Sequence, residues 1–423
     1  MTTHRVTAWL GLIVVLGILI WQAYHPLWRP HLQVDVVVYQ QRALSYLGSF
    51  SWDTLRTNEY QPGALWFFAL LGRLAANPRA FEAFLTATIL VNSLLVAGHV
   101  GLLGAFKYDR AIPVFLALAL MSGPILLYRF ELLVSLLVLG SWCALQRGWL
   151  TGAAAILGLA VAVKVYPVVL VPIYFAGAVQ HEGWRRARGA VIVGLVAVLA
   201  PVVWFLALGG DLSGVVRSLE FHQRKPVGLE AVWADVIIAV QSGLGIPVRI
   251  TPGFGVQGLT SDLPLLTNRT LNSIWLVPYG LVLWLIWRNR QHHQFRSPLL
   301  PFSALLVFVV FAKVLNPQYL WWFLSFMPLV ALTPGGRLWW AVAAGLGLSA
   351  VLSQLVYPLH YTEFVSWFRS GNASSQWFAV IVIRNGLLLG ATVVAIAAVA
   401  RPRRARPEHL PPHQGRVANS TNR

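Results

Sequence analysis

The sequence predicts an all-α fold: a polytopic integral membrane bundle of about 11–13 transmembrane helices. Three observations predict it. Hydrophobic residues make up 57% of the 423-residue chain and charged residues 11%, against roughly 25% charged in a soluble domain. Mean hydropathy is +0.66, and apolar runs recur along nearly the whole length, leaving no stretch that could form a sizeable soluble domain. The basic residues gather in short connections and in the tail, as Arg185, Arg186 and Arg188; Arg288, Arg290 and Arg296; and Arg401, Arg403, Arg404 and Arg406. That is the positive-inside signature, and it assigns those segments to the cytoplasm.

The elements follow in order. Apolar runs cover residues 7–24, 62–76, 82–105, 111–128, 131–146, 150–163, 166–179, 189–208, 272–288, 298–315, 319–333, 337–356 and 376–400. Lipid offers the backbone no hydrogen-bond partner, so each must be helical. The first run reads as a retained helix. No small-x-small cleavage site follows it, and Trp21, Tyr24 and Trp28 resemble an interfacial aromatic belt. Several runs fall short of the ~20 residues a perpendicular span needs, which predicts broken or re-entrant helices. Between 62 and 130 the need is specific. Arg73, Arg79, Lys107 and Arg110 cannot all face the cytoplasm with one full span between each pair of loops.

Residues 1–400 therefore form one membrane unit, and 401–423 a basic cytoplasmic tail of disordered composition. Two long loops, 25–62 and 209–271, fall on the extracytoplasmic side. They hold Asp35, Asp53, Glu59, Asp211, Glu220, Glu230, Asp235 and Asp262, more than half of the 14 acids. Polar chemistry is thus expected at the outward, extracytoplasmic face of the membrane. The net charge of +18 reports topology rather than nucleic-acid binding, and the bilayer lipids themselves are the expected surroundings.

Five motifs sit near that face. The first loop carries Asp35-x-x-x-Tyr39, then Gly48-Ser-Phe-Ser-Trp52, then Asn58-Glu59-Tyr60-Gln61-Pro62-Gly63. A carboxylate at a bilayer edge is costly unless paired or used, and Arg29 or Arg42 could pair with it. If 35–42 is helical, Asp35 and Tyr39 share a face at i, i+4. Pro62 suits the first turn of the next helix. The second motif is Tyr128-Arg129-Phe130-Glu131, either a local ion pair at a helix start or an acid and base for a charged substrate. The third, Lys164-Val-Tyr166-Pro167, puts one lysine among apolar residues. It must snorkel or meet an anion, and the proline places it at a helix end. The fourth is Phe221-His222-Gln223-Arg224-Lys225-Pro226 with Glu230, where arginine offers a planar fork for phosphate or for anionic headgroups. The fifth is Lys313-Val-Leu-Asn316-Pro317-Gln318-Tyr319-Leu-Trp321-Trp322, a turn between spans. Most of the 19 Trp are interface anchors or packing. Trp321 or Trp322 is a candidate stacking surface for a sugar ring.

One face with a candidate base and several phosphate-suited cations points to a lipid-phosphate substrate. No glycine-rich nucleotide loop and no metal-ligand spacing is present, so no cofactor is expected. Cys143 is the only cysteine, which rules out an internal disulfide.

In these motifs, taken in order over about residues 30–330, the chain resembles the multi-spanning C-type glycosyltransferases that use polyprenyl-phosphate sugars. The likeness is to the branch of bacterial alpha-mannosyltransferases of glycolipid synthesis. Each motif is short; the ordered set carries the likeness. The resemblance implies that Asp35 is the catalytic base. It implies that Lys164, Arg224, Arg129 and His222 hold the donor phosphate. Tyr39, Tyr60, Glu131, Glu230, Lys313 and Gln318 would line the substrate. The family usually has Tyr-Pro-Pro where this chain has Tyr60-Gln61-Pro62, and often Arg-x-Asp where it has Arg129-Phe130-Glu131.

The expected activity is inverting transfer of a hexose, mannose first, from a polyprenyl-phosphate donor. The acceptor would be a hydroxyl on a glycolipid, glycan or protein of the cell envelope. A lipid-linked sugar flippase or transporter, or a non-catalytic partner in envelope assembly, are the alternatives.

Overall fold

The structure is a computed structural model. It describes residues 3–48, 59–246, 248–261, 263, 266–290, 295, 297–370 and 376–401. The Gly48-to-Trp52 motif beyond Gly48, Asn58, Asp53, Asp262, Arg296 and the basic tail after Arg401 lie outside the described residues.

The chain is a helical bundle. It opens with α1 (Thr3–Tyr24), α2 (Arg29–Tyr46), α3 (Pro62–Leu74), α4 (Phe81–Ala105), α5 (Ile112–Ser122) and α6 (Ile125–Tyr128). It continues with α7 (Glu131–Gln146), α8 (Leu150–Val163), α9 (Val171–Glu182), α10 (Trp184–Ala207) and α11 (Leu212–Arg224). After the short strand β1 (Val227–Gly228) come α12 (Val232–Gly243) and the hairpin β2 (Arg249–Gly253) and β3 (Val256–Thr260). The last part holds α13 (Asn268–Leu271), α14 (Leu276–Arg288), α15 (Leu299–Phe311), α16 (Trp321–Leu324) and α17 (Met327–Ala331). It closes with α18 (Arg337–Gln354), α19 (Tyr361–Ser370) and α20 (Gln376–Ala400).

Among the described residues, six helical segments are long and apolar enough to cross a membrane: Val6–Tyr24, Phe81–Ala105, Trp184–Ala207, Asn268–Arg288, Arg337–Leu359 and Gln376–Ala400. Five more apolar helices, of 10–17 residues, are Pro62–Leu74, Glu131–Gln146, Leu150–Val163, Val232–Gly243 and Leu299–Phe311. The recurrent apolar runs thus do not all become full-length spans. Only 17% of the α10 window and 22% of the α1 window is buried, against 56% for α4 and α18. The first pair therefore faces outward from the bundle, and the second pair is interior.

The irregular stretch anticipated within 62–130 is a break. Residues 111–128 form α5 and α6, separated at Gly123 (φ +64°) and Pro124. A glycine there relieves two constraints. It accepts the positive φ, and a Cβ would stand only 3.0 Å from Gln354 Oε1. Residues 319–333 break in the same manner, into a 3-10 turn (Pro317–Leu320), α16 and α17. In both places the broken helices end beside the polar motifs.

The 209–271 loop departs from the all-helical expectation. It contains a three-stranded antiparallel sheet in the order β1-β3-β2. Phe254 and Gly255, both at positive φ, form the two-residue turn between Gly253 and Val256. Consecutive positive φ values match the strand twist of a tight hairpin. A phenylalanine in the first turn position is what hid it from the sequence.

Packing of the shorter helices relies on small residues. A Cβ on Gly158 of α8 would lie 2.3 Å from the Gly194 carbonyl oxygen of α10, so the two backbones touch as small residues permit within membranes. We expect Gly158→Val to lower the apparent melting temperature in detergent, with overpacking costing about 1–3 kcal/mol. Gly152→Val, where the nearest neighbouring atom is 3.9 Å from the added Cβ, is the control that should remain near wild type.

Candidate functional site

The five motifs converge on one end of the bundle. α2 is helical through 35–42, as Asp35 and Tyr39 require. Tyr39 is buried, while the Asp35 side chain keeps 38% of its surface exposed. Asp35 pairs neither with Arg29, which takes Glu82, nor locally within α2. Its Oδ2 meets Nη1 of Arg129. Arg129 sits in the extended link between α6 and α7, and its side chain is 3% exposed. Its Nη2 donates to the Tyr357 hydroxyl at 3.0 Å, and that hydroxyl donates to the His31 carbonyl at 3.2 Å.

A second ion pair lies next to the first. Lys164 caps the end of α8 in extended conformation, the helix end its proline neighbour implied. It donates to Glu131 Oε1 at 2.6 Å. Its ammonium also stands 4.8 Å from the Phe130 and Tyr319 ring centroids and 5.0 Å from that of Trp322, within cation–π range. Tyr39, Tyr60, Phe68 and Phe130 form an aromatic block beside it. Tyr39 stacks on Phe68 at 4.5 Å, and Tyr60 meets Phe68 edge-on at 5.0 Å.

The third limb comes from α11 and the strand beyond it. His222 Nε2 lies 3.2 Å from the Glu59 carbonyl, and Lys225 Nζ lies 3.9 Å from Glu59 Oε2. His222 lies in the last turn of α11, and Lys225 is the residue at which the chain leaves the helix. Arg224 pairs with Glu220 at 3.0 Å with its side chain 67% exposed. Arg224 thus lies outside the cluster, whereas buried Lys225 lies within it.

Three further candidate residues are engaged within the protein. His222 is uncharged at neutral pH. Burial, then Lys225 and Lys164, push it down to about 4, so its Nε2–H donates to the Glu59 carbonyl. Lys313 is held by its own chain. Its ammonium donates to the carbonyls of Gln223 (2.7 Å) and Lys225 (2.6 Å) and to Asn268 Oδ1 (2.9 Å), which uses all three of its protons. It is a clamp on the loop that carries His222 and Lys225. Glu230 points away to buried Arg384, 3.5 Å from its carboxylate. Arg384 also donates to the Glu230 carbonyl at 2.9 Å. Burial holds the Glu230 carboxyl up at about 7 against the pull of Arg384.

The Trp pair offers no free stacking surface. Trp322 is sandwiched between Tyr166 at 4.0 Å and Tyr319 at 4.3 Å, and Trp321 is packed against Phe115 in the core. Gln318 is buried in the turn before them, with Oε1 making no hydrogen bond within the protein.

The assembled site carries Asp35, Glu59 and Glu131 against Arg129, Lys164, Lys225 and Lys313. Arg42 adds a further cation within electrostatic reach of Glu59 and Tyr60. The balance is positive, suited to an anion. Among the described residues no three His, Cys, Asp or Glu side chains could hold a metal ion. Lys225 and Glu59 were in motifs already noted but were not singled out. Tyr357 had no local signal, because it reaches Arg129 across 228 positions of sequence.

If Lys313 is a clamp, Lys313→Met should lower the apparent melting temperature, since the buried acceptors it leaves cost about 1–3 kcal/mol each. A substrate ligand would instead lose affinity without losing stability. Burial, and then Lys225, push Lys313 down to about 8. It is protonated below that pH, so its bonds hold there and loosen as pH rises through about 8. Inorganic phosphate binding, followed by calorimetry, should weaken over the same range, and Lys313→Arg should move the decline to higher pH.

Compared with models of known protein families and with curated proteins, the chain matches none.

Proposed function

We propose that the chain is a membrane glycosyltransferase acting at the outward face of a bacterial plasma membrane. It would move a hexose, with mannose the first to test, from a polyprenyl-phosphate donor to a hydroxyl on a glycolipid, glycan or protein. One observation carries the reading. A half-exposed carboxylate, Asp35, is fixed by Arg129 beside a cluster of cations at one end of an apolar helical bundle.

In this mechanism Asp35 accepts the proton of the acceptor hydroxyl, as a general base at hydrogen-bond reach must. The acceptor oxygen forms a bond to the anomeric carbon while the bond from that carbon to the phosphate oxygen breaks. The electron pair leaves on the phosphate, where Lys164 and Lys225 stabilise the charge that develops. Single displacement inverts the anomeric carbon, so a beta-linked donor gives an alpha-linked product. The Glu131–Lys164 pair and the rings around it keep the ammonium in place. Arg129 holds the base in position through one Asp35 oxygen.

The transporter alternative draws on the buried Arg384–Glu230 pair, because buried charge within a membrane bundle also marks transport pathways. Radiolabel transfer separates the two. Membranes containing the protein receive polyprenyl-phosphate mannose, glucose and arabinose in turn. Asp35→Asn should cut transfer by about 100-fold or more while the protein elutes as wild type. Near-normal turnover in that variant would remove Asp35 as the base. No transfer from any donor by the folded protein would favour transport or a partner role.

A further inference from the structure

A crevice lies toward the opposite end of the bundle, between α9 and α14. Nearer the candidate site the 3-10 turn that leads into α9 is tied to α14, where the Tyr279 hydroxyl donates to the Val169 carbonyl at 2.6 Å. Beyond that bond α9 and α14 separate around a space of about 710 Å³, within the range of sites that bury a small ligand. Ile173, Phe175 and Ala176 line it from α9, and Leu283 and Trp287 from α14. Phe295 closes one side, seated against Gly177, where a Cβ would come within 2.9 Å of it. Gln180 and Arg290 are the polar residues of the lining, and both belong to the end where α9 and α14 terminate.

That end is strongly basic. Arg290 stands 4.9 Å from the Trp287 ring centroid, and Arg185, Arg186, Arg188 and Arg288 follow the same helix ends. Glu182 is committed to Arg186 at 2.8 Å. The crevice therefore has the layout of an amphiphile. An apolar slot leads to Trp287 and then to a cation. Basic pockets between helices on the cytoplasmic side of membranes take anionic headgroups, and the positive-inside bias assigns this end to the cytoplasm.

We propose that the crevice between α9 and α14 binds one anionic phospholipid, with an acyl chain along Ile173, Ala176 and Leu283 and its phosphate at Arg290. Ordinary bilayer lipid could fill an apolar slot, so selectivity for the headgroup is the decisive property. It is independent of the reaction at the other end of the bundle.

The test uses purified full-length protein, stripped of lipid by detergent exchange. It is then titrated with phosphatidylglycerol or with phosphatidylcholine of identical chains. Native mass spectrometry counts the lipids retained. The first phosphatidylglycerol should bind about fivefold more tightly than the first phosphatidylcholine. Arg290→Gln should erase that preference and leave phosphatidylcholine binding unchanged. Ala176→Trp, which fills the slot, should remove the first binding step for both lipids. Equal binding of the two lipids by the wild type would overturn the proposal, as would a preference that survives Arg290→Gln. Should Ala176→Trp fail to fold, the exposed Arg290 variant decides the matter alone.

Discussion

The guanidinium of Arg129 is the interaction on which the site end of the bundle depends. It is almost wholly buried, so its charge must be matched within the protein. Asp35 supplies the matching charge from α2, and the Tyr357 hydroxyl accepts a further hydrogen bond from beyond α18. Removing one partner of a buried pair costs about 3–5 kcal/mol, because the other charge is left uncompensated. The pair is therefore weak as a source of net stability and strong as a constraint. Any arrangement of the bundle that separates α2 from the α6–α7 link leaves a bare charge in an apolar interior. The adjacent Glu131–Lys164 pair imposes the same condition on the end of α8.

These constraints explain why the helices around the site are short. An unbroken helix keeps its backbone polar groups occupied and presents only side chains. Breaks at Arg129 and at Lys164 let α6 and α8 end beside the start of α7, where Lys164 meets Glu131. Irregular backbone at membrane depth is tolerated where protein covers it or water fills a cavity. Here aromatic rings provide cover, with Phe130, Tyr319 and Trp322 around the Lys164 ammonium. Among these rings Trp322 stacks with Tyr166 and Tyr319, which leaves that tryptophan no free face.

Much of this was legible in the sequence, and the reason is physical. Charge inside an apolar run is expensive, so Arg129, Glu131 and Lys164 announced themselves, and Lys164-Val-Tyr-Pro167 announced its helix end. Asp35 stood out for the same cause. What the sequence could not convey was direction. His222, Arg224 and Lys225 lie in one basic string, and only the course of the chain at the end of α11 decides which of them turn inward. Lys313 reads as a free cation until the carbonyls of Gln223 and Lys225 are placed around it. The hairpin at Phe254-Gly255 was hidden because an aromatic residue occupies a turn position where Asn or Asp would have signalled it. Tyr357 and Arg384 were hidden for another reason: each meets partners far away in sequence, and no local pattern encodes that.

The hydrogen bonds of Tyr357 also bear on biosynthesis. Its hydroxyl joins Arg129 to the His31 carbonyl, a residue 326 positions earlier in the chain. Proteins are made and begin to organise from the N-terminus. His31, Asp35 and Arg129 enter the membrane long before Tyr357 is synthesised. In the growing chain the Arg129 guanidinium therefore has Asp35 for company but lacks its second anchor. The Arg129 centre is finished only when the ribosome has passed α18, so a residue from late in the chain closes an ion pair whose two charges were laid down in its first third.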